Sequence, residues 1–209
     1  MTSPLALTAL TALSPLDGRY ERKVAGLRSF FSEFALIKYR VHVEIEWLIA
    51  LSLEPQIAEC RSFTKATIET LRVAAATFSV GDAERVKAIE ATTNHDVKAV
   101  EYWLRERFDN NAEVKKSQAF MHFACTSEDI NNLSHALMLK SALDAVLHPA
   151  LSRIAGKLQS LAHVHAAVSM LAHTHGQPAS PTTLGKEIAN VAYRLRRGEK
   201  AIADIGILG

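Results

Sequence analysis

Several features that would place this chain of 209 residues in a membrane, secreted or nucleic-acid-binding class are missing. No apolar run is long enough to cross a bilayer. The 24 basic and 22 acidic residues nearly balance, which argues against binding to nucleic acid through bulk positive charge. The chain has 2 cysteines, Cys60 and Cys125, without the spacing of metal ligands. We therefore expect free thiols in a cytoplasmic protein that binds neither membrane nor nucleic acid.

The sequence also lacks the alternation of apolar and polar residues that indicates a half-buried β-strand. Apolar residues instead recur at helical spacing through most of the chain, which predicts an all-α fold. In the first half, helices are predicted over about residues 21–53, with a break near Phe34, and over about 63–78, 82–91 and 96–108. Asp96 can cap the last of these helices.

The loop Asp109–Asn111 predicts a domain boundary. Residues 1–111 would form an N-terminal helical domain, and residues 112–209 would form the first part of a helical bundle. From Ser127 the pattern stays helical to about Ala167, a length of roughly 60 Å that Pro149 should bend or interrupt. Because the chain stops just as its last predicted helix ends, we expect it to be a fragment of a longer protein.

The long helices carry apolar residues spaced alternately four and three apart, which is the heptad pattern of helical bundles. One chain offers too few helices to cover such a stripe, so we predict that several subunits build the bundle together. The stripe consists of Leu147, Leu151, Ile154, Leu158, Leu161, Leu184, Ile188, Val191, Leu195, Ile202 and Ile205, with Gly198 at one core position.

The segment His173–Pro181 separates the two long helical regions. Its two prolines predict an irregular loop, because proline lacks a backbone donor and disfavours helix at the residue before it. The loop could be a plain connection with partly exposed histidines, a metal site, or a place for acid–base catalysis. Two histidines are too few ligands for zinc, and no Cys-x-x-Cys or His-Glu-x-x-His motif accompanies them.

Polar clusters stand at the ends of predicted helices, where free backbone donors and the helix dipole favour anions. They supply a guanidinium, hydroxyl groups and two imidazoles, the residue types that acid–base chemistry on an anionic substrate needs. The clusters are Asp17–Tyr20, Thr93–Val97, Cys125–Asp129 and Thr174–Pro178.

These clusters, in this order, resemble the adenylosuccinate lyases of the fumarase/aspartase superfamily, and the bacterial forms in particular. The runs Asn94–Tyr102 and His122–Asn132 carry much of the resemblance, which covers essentially the whole chain. It implies an all-helical homotetramer whose active sites lie where three subunits meet. It also implies β-elimination of fumarate from adenylosuccinate, giving AMP, and from the succinyl-carboxamide ribotide of purine synthesis, without a metal or organic cofactor.

The same resemblance implies roles for individual residues. His175 would be the general acid that protonates the leaving nitrogen, and Thr126 and Ser127 would bind a substrate carboxylate. The residues implied in substrate binding are Arg19, Tyr20, Asn94, His95, Asp96, Thr126 and Ser127. Without the shared order of motifs, Asp96 and Ser127 could be simple helix caps, Tyr20 a packing residue and Arg19 a surface charge.

The chain departs from this family in two places. His173 stands where an Arg usually precedes the Thr-His pair, although the core Thr174–Gln177 is intact. The mobile loop that supplies the family's serine base has no counterpart, so we expect the 209-residue chain alone to be inactive. Other fumarate-releasing lyases are the alternative within the superfamily, although Gly176–Ala179 differs from their typical sequence. A non-catalytic helical assembly module is the alternative from another class.

Overall fold

The computed structural model describes residues 8–208, which divide into two compact units. Residues 8–139 with Leu208 form the first unit, and Lys140–Ile207 form the second. Residues 1–7 of the predicted lead-in, and Gly209, lie outside the described residues. The predicted domain boundary after residue 111 falls inside the first unit and stays a prediction.

The described residues are mostly helical, which confirms the predicted fold class, with one small sheet in addition. A 3-10 turn at Ala25–Leu27 precedes α1, and a second one at Gln118–Phe120 follows α6. The helices that begin in the first unit are α1 Arg28–Phe31, α2 Glu33–Leu53, α3 Lys65–Ala76, α4 Val80–Thr93, α5 Asp96–Arg107, α6 Ala112–Lys116 and α7 Ser127–Ala142.

Side-chain caps fix where most of these helices begin. The Ser32 hydroxyl accepts the Ala35 N–H at 3.2 Å, so the predicted break in the first helical region falls at Ser32. Ser79 and Asp82 form a capping box, in which each side chain accepts a backbone N–H of the other residue. These local bonds satisfy donors that the first turn of a helix leaves free.

The core of the first unit lies between α2, α3, α4 and α5. Ile45, Leu71, Val86 and Val100, one from each helix, are almost completely buried there. The ring of Phe78 meets the ring of Trp103 edge-on at a centroid distance of 5.1 Å, a favourable geometry for two aromatic rings. The apolar periodicity read from the sequence therefore identifies the faces that these helices bury.

The second unit is an antiparallel pair of long helices joined by a β-hairpin. A π-helical turn, Leu143–Leu147, immediately precedes α8. Pro149 lies at the start of α8, and its ring would clash with the carbonyl four residues earlier, so this turn is the interruption predicted from the proline. The elements are α8 His148–Val164, β1 Ser169–Thr174, β2 Gln177–Thr183 and α9 Leu184–Ala203.

Small residues form the seam between α8 and α9. Ala155, Ala162, Gly185 and Ala192 are buried, because their short side chains let the two backbones approach closely. A Cβ atom added to Gly185 would lie 2.6 Å from the Cα of Ala166, so no larger residue fits without movement.

The predicted heptad stripe remains largely uncovered in the second unit. Ile154 is 52% exposed, and Val191 and Ile202 are exposed as well. Gly198 is also exposed in this unit, and a Cβ there would meet open space, so its predicted core position in a bundle of several subunits stays a prediction. The close packing of α8 on α9 uses the alanines, which leaves the larger apolar side chains on the surface.

None of the helices within residues 8–208 combines the length and the apolar character that crossing a bilayer requires.

Candidate active site

The junction between α4 and α5 carries the first predicted cluster. Asn94 ends α4 in the left-handed conformation, with φ of 50°, and its N–H donates to the Glu90 carbonyl at 2.8 Å. Asn tolerates this conformation better than most residues. The chain then turns through the extended His95 directly into α5, which leaves the His95 side chain about half exposed at the helix start.

His95 is the N-cap of α5, so the prediction that Asp96 caps this helix is wrong. The His95 Nδ1 accepts the Lys98 N–H at 3.2 Å, a bond that requires this ring nitrogen to be unprotonated. In the neutral ring the proton is then on Nε2, which lies 3.5 Å from the Ser127 Oγ, at the long limit of a hydrogen bond. Two clusters that lie 32 residues apart in sequence therefore meet.

Asp96 occupies the first position of α5 and points its carboxylate at α2. Its Oδ2 accepts from the Arg40 Nη2 at 2.7 Å, and its Oδ1 accepts the Val97 N–H at 2.9 Å. Burial alone would raise the pKa of this carboxyl, but these two partners outweigh burial and lower the pKa. Asp96 is therefore ionised and held in place, with its charge neutralised by Arg40.

Thr126 and Ser127 stand at the start of α7, as predicted. The Thr126 N–H donates to the Asp129 Oδ2 at 2.7 Å, and the Asp129 N–H donates to the Thr126 carbonyl at 3.1 Å. This pairing fixes the first turn of a helix of 16 residues. The two hydroxyl groups lie where free N–H groups and the helix dipole attract anions.

A polar stripe on α2, which the sequence analysis missed, holds this region together. The Arg40 Nε donates to the Asn131 Oδ1 at 2.9 Å, and the Trp47 Nε1 donates to the Phe123 carbonyl at 2.9 Å. The signal was present in the sequence, because Arg40, Glu44 and Trp47 are spaced four and three apart within an otherwise apolar helix.

Glu44 is the most enclosed member of this stripe, with 2% of its surface exposed. Its Oε1 lies 2.6 Å from the His122 Nδ1, while its Oε2 is buried with no hydrogen-bond partner among the described residues. Burial raises the pKa of the Glu44 carboxyl, and the His122 contact offsets only part of that rise. His122 itself has a φ of 59°, and Ala124 one of 60°, in the loop that leads to α7.

Arg19 and Tyr20 are exposed in the turns before α1. The Arg19 guanidinium carbon lies 5.6 Å from the centroid of the neighbouring Tyr20 ring, a cation–π distance. Within residues 8–139, no hydrogen bond or ion pair joins either side chain to His95 or Ser127. The structure therefore brings together His95, Asp96 and Ser127, with Asn94 and Thr126 beside them, and among residues 8–139 no hydrogen bond or ion pair links Arg19 or Tyr20 to that group.

His175 lies in the second unit, at the tip of the β-hairpin. The prediction of an irregular loop for His173–Pro181 is wrong, because β1 and β2 pair antiparallel with Thr174 opposite Gln177. His175 and Gly176 form the two-residue connection, with φ of 53° and 78°. Positive φ at both central residues is the pattern of a type I′ turn, whose twist matches that of the flanking strands.

The hairpin tolerates its prolines because each strand of a two-stranded sheet is an edge strand. Pro178 and Pro181 both lie in β2, and the register shifts between Leu171 and His173. His173, Thr174 and His175 are all exposed. The turn thus presents the His175 imidazole on a defined backbone with no neighbour covering it in this unit.

Within the described part of the chain, no group of three or more His, Cys, Asp and Glu side chains is arranged to hold a metal ion. Burial raises the pKa of the Cys125 thiol, and the carboxylates of Glu44 and Asp129 raise it further. Cys125 is therefore in the thiol form beside the start of α7, and the groups at this site that can transfer protons are imidazoles and carboxyls.

Residues 18–206 match the family model described as Lyase. The chain is 52% identical to the adenylosuccinate lyase of Vibrio cholerae over 204 residues, which cover 98% of this chain and 45% of that protein. It is 50% identical to the adenylosuccinate lyase of Escherichia coli over 205 residues, with the same coverage. The chain thus spans less than half the length of these curated relatives.

The fold is similar to that of solved structures with much lower identity. A fumarate lyase from Mesorhizobium sp. BNC1 matches with a TM-score of 0.66 at 20% identity, over 86% of this chain and 39% of that one. The 3-carboxy-cis,cis-muconate lactonizing enzyme from Pseudomonas putida matches with a TM-score of 0.63, also at 20% identity, over 86% of this chain and 39% of that one. The family model covers most of the chain, so the chain belongs to the lyase family.

Proposed function

We propose that this chain forms part of an adenylosuccinate lyase, which releases fumarate from adenylosuccinate to give AMP and from the succinyl-carboxamide ribotide. The observation that carries the proposal is the meeting of His95 and Ser127, 3.5 Å apart, at the first turns of α5 and α7. An imidazole, a hydroxyl and two helix N-termini converge there, which suits an anionic substrate. The identity to adenylosuccinate lyases over nearly the whole chain supports the same reading.

In this proposal the first unit binds substrate. Thr126 and Ser127 donate to a carboxylate or phosphate, and His95 donates to the same anion through Nε2. Asn94 and Asp96 hold the backbone on either side of His95, and the Arg40 contact keeps Asp96 ionised. Arg19 and Tyr20, both exposed, add a guanidinium and an aromatic face for a nucleotide.

His175 is the proposed general acid. In the elimination a base removes the Cβ proton, the C–H electrons form the double bond of fumarate, and the C–N electron pair passes to the leaving nitrogen. Protonation of that nitrogen by the His175 imidazole completes the cleavage. The base is expected from a part of the protein that this chain does not contain, and no metal or organic cofactor takes part in these steps.

Assembly into a homotetramer with shared active sites belongs to the same proposal. The exposed apolar residues of α8 and α9, such as Ile154 and Val191, support it, because such a stripe is normally covered in a helical bundle. A small-molecule enzyme of purine synthesis would work in the cytoplasm, with no role for nucleic acid or membrane. A non-catalytic assembly module would share the stripe but would have no use for the pairing of His95 with Ser127.

The test compares His175→Gln with His173→Gln in the full-length protein, by following fumarate release from adenylosuccinate. Loss of a positioned general acid typically costs about 10² to 10⁴ in rate, so His175→Gln should lower kcat by at least about 10². His173→Gln should be much milder, because His173 lies in β1 and not in the turn. Assembly, checked by sedimentation, should survive both changes. A larger loss for His173→Gln would contradict the assignment, and no release by the wild type would contradict the function.

A further inference from the structure

The Arg40 guanidinium connects the first turn of α5 with the second turn of α7. Its Nη2 lies 2.7 Å from the Asp96 Oδ2, at the start of α5, and its Nε lies 2.9 Å from the Asn131 Oδ1 in α7. The Arg40 side chain is 8% exposed, whereas its partner Asp96 is 47% exposed, so the guanidinium is enclosed and the Asp96 end of the ion pair faces solvent. Only a planar group with several fixed donors can make two such contacts at once.

The two residues that Arg40 binds are close neighbours of the proposed substrate-binding residues. Asp96 directly follows His95, and Asn131 lies one helical turn after Ser127. In the described part of the first unit, the only other polar link between these two helix starts is the 3.5 Å contact of His95 with Ser127 itself. That contact is long and half exposed, and the buried apolar cluster of Val43, Val97 and Ile130 at the same junction is non-directional, so neither fixes the orientation of the two donors as a directed hydrogen bond does.

We propose that Arg40 is a positioning residue that fixes His95 and Ser127 at a separation where one substrate anion contacts both. The inference rests on the proposed function for the identity of the anion. Arg40 does not touch that anion, because its donors face Asp96 and Asn131 and its side chain is enclosed. It sets the relative position of two donors before the substrate arrives. Binding then loses less free energy to the ordering of these side chains.

A purely structural role makes different predictions. A buried ion pair that serves only stability can often be replaced without harm, or broken with a loss of stability alone. Loss of a positioning residue should instead raise KM more than it lowers kcat, and it should have little further effect once one of the positioned donors has been removed. Double-mutant cycles measure this dependence directly.

The experiment uses the full-length protein and adenylosuccinate. Arg40→Lys keeps the charge but loses the forked geometry, and we expect kcat/KM to fall by about 10-fold or more, mainly through KM. Asn131→Ala breaks the Nε contact without leaving a buried charge unpaired, and it serves if Arg40→Lys does not fold. Each change should have a much smaller effect on kcat/KM in a Ser127→Ala background. The loss of kcat/KM in each double variant should be at least about fivefold smaller than the product of the two separate losses.

The matched control is Arg72→Lys. Arg72 also makes two bonds, from Nε and Nη2 to the carboxylate of Glu46 at 2.8 and 2.9 Å, but it is 53% exposed and it links α3 to α2. Its kcat/KM should stay within about twofold of wild type, because exposed ion pairs contribute little. If the kcat/KM loss in a double variant with Ser127→Ala equals the product of the two separate losses, the positioning role is overturned.

A readout without substrate separates this inference from the proposed function. In a crystal structure of Asn131→Ala, the distance from His95 Nε2 to Ser127 Oγ should lengthen beyond the 3.5 Å of the intact protein. An unchanged distance would overturn the inference even if the enzyme is active. A lengthened distance in Asn131→Ala, together with a wild-type protein that releases no fumarate, would retain the inference and overturn the function.

Discussion

Glu44 carries a carboxyl group enclosed in the first unit, and one of its two oxygens has no hydrogen-bond partner among residues 8–208. The ionised carboxylate is shielded from water, and the contact with His122 compensates only part of the lost hydration. The pKa of Glu44 therefore lies above the ordinary value of 4.5. A group with a raised pKa in the folded state stabilises the protein at low pH, and that contribution is lost as the pH rises through the folded pKa. Glu44 therefore makes the protein less stable at neutral pH than at mildly acidic pH.

Replacing Glu44 by Gln removes this titration. We expect the stability of Glu44→Gln relative to wild type to increase as the pH rises from about 4.5. This stability difference can change by at most about 1.4 kcal/mol per pH unit. Urea unfolding of the wild type and the variants at a series of pH values between about 3 and 8 measures it.

The control for this titration is Glu46→Gln in the same helix. The hydrogen bond from Arg72 lowers the pKa of Glu46, so the stability it provides is present above the ordinary value of 4.5 and lost as the pH falls below that value. Relative to wild type, Glu46→Gln should therefore become less stable as the pH rises, over the acidic range. If the stability difference from wild type changed in the same direction with pH for both variants, burial would not govern the titration of Glu44.

At the scale of single residues, the sequence predicted which residue types matter better than it predicted their hydrogen-bond partners. The sequence identified His95 and Ser127 as binding residues, and the structure places them 3.5 Å apart, whereas their roles stay predictions. Arg40 and Glu44 were missed because a charged residue in a helix is usually read as part of a solvated face. Their partners lie 91 and 78 residues further along the chain, where helical periodicity carries no information.

At the scale of elements, the helices were predictable and the hairpin was not. Apolar spacing over a dozen or more residues defines a helix strongly, so α2 to α5 lie close to their predicted ranges. The strands β1 and β2 are mostly exposed and have no fully buried residue, so they show no alternation of burial that a sequence could reveal. The available signal was the pair His175–Gly176, which resembles the Asn-Gly pair of two-residue hairpin turns.

The seam between α8 and α9 provides a prediction at the same scale. In Gly185→Ala the new methyl group would lie 2.6 Å from the Cα of Ala166, so the helices must move apart, with a loss of about 1–3 kcal/mol. Gly198 lies in the same helix with open space around it, and Gly198→Ala should stabilise the protein by up to about 1 kcal/mol. Thermal unfolding of the two variants should shift the midpoint in opposite directions. If Gly185→Ala left the unfolding midpoint unchanged, α8 and α9 would not be in close contact at Gly185.

At the scale of the whole molecule, the exposed apolar stripe of the second unit bears on assembly. Ile154→Asp should leave the fold of one chain intact, because Ile154 is 52% exposed in it. In a helical bundle of several subunits the same change would bury an unpaired charge, which is strongly unfavourable. Sedimentation velocity of the full-length protein should therefore detect dissociation of the Ile154→Asp oligomer.

Lys157→Asp, on the same helix and also exposed, serves as the control for a new negative charge. It should remain assembled, because Lys157 is not part of the heptad stripe. An intact oligomer for Ile154→Asp would place the subunit interface elsewhere, and dissociation of both variants would mean that charge alone drives the effect.

The stripe on α2 also has a consequence for synthesis on the ribosome. Arg40, Glu44 and Trp47 are made 91, 78 and 76 residues before the groups they bind. At the usual rate of about 5–20 residues per second, the Arg40 guanidinium waits roughly 5 to 20 s for Asn131 to be translated. During that interval α2 can pack its apolar side chains against α3 and α4, while its polar stripe stays hydrated. The end of the first unit that carries His95 and Ser127 is therefore completed last, when the start of α7 displaces water from α2.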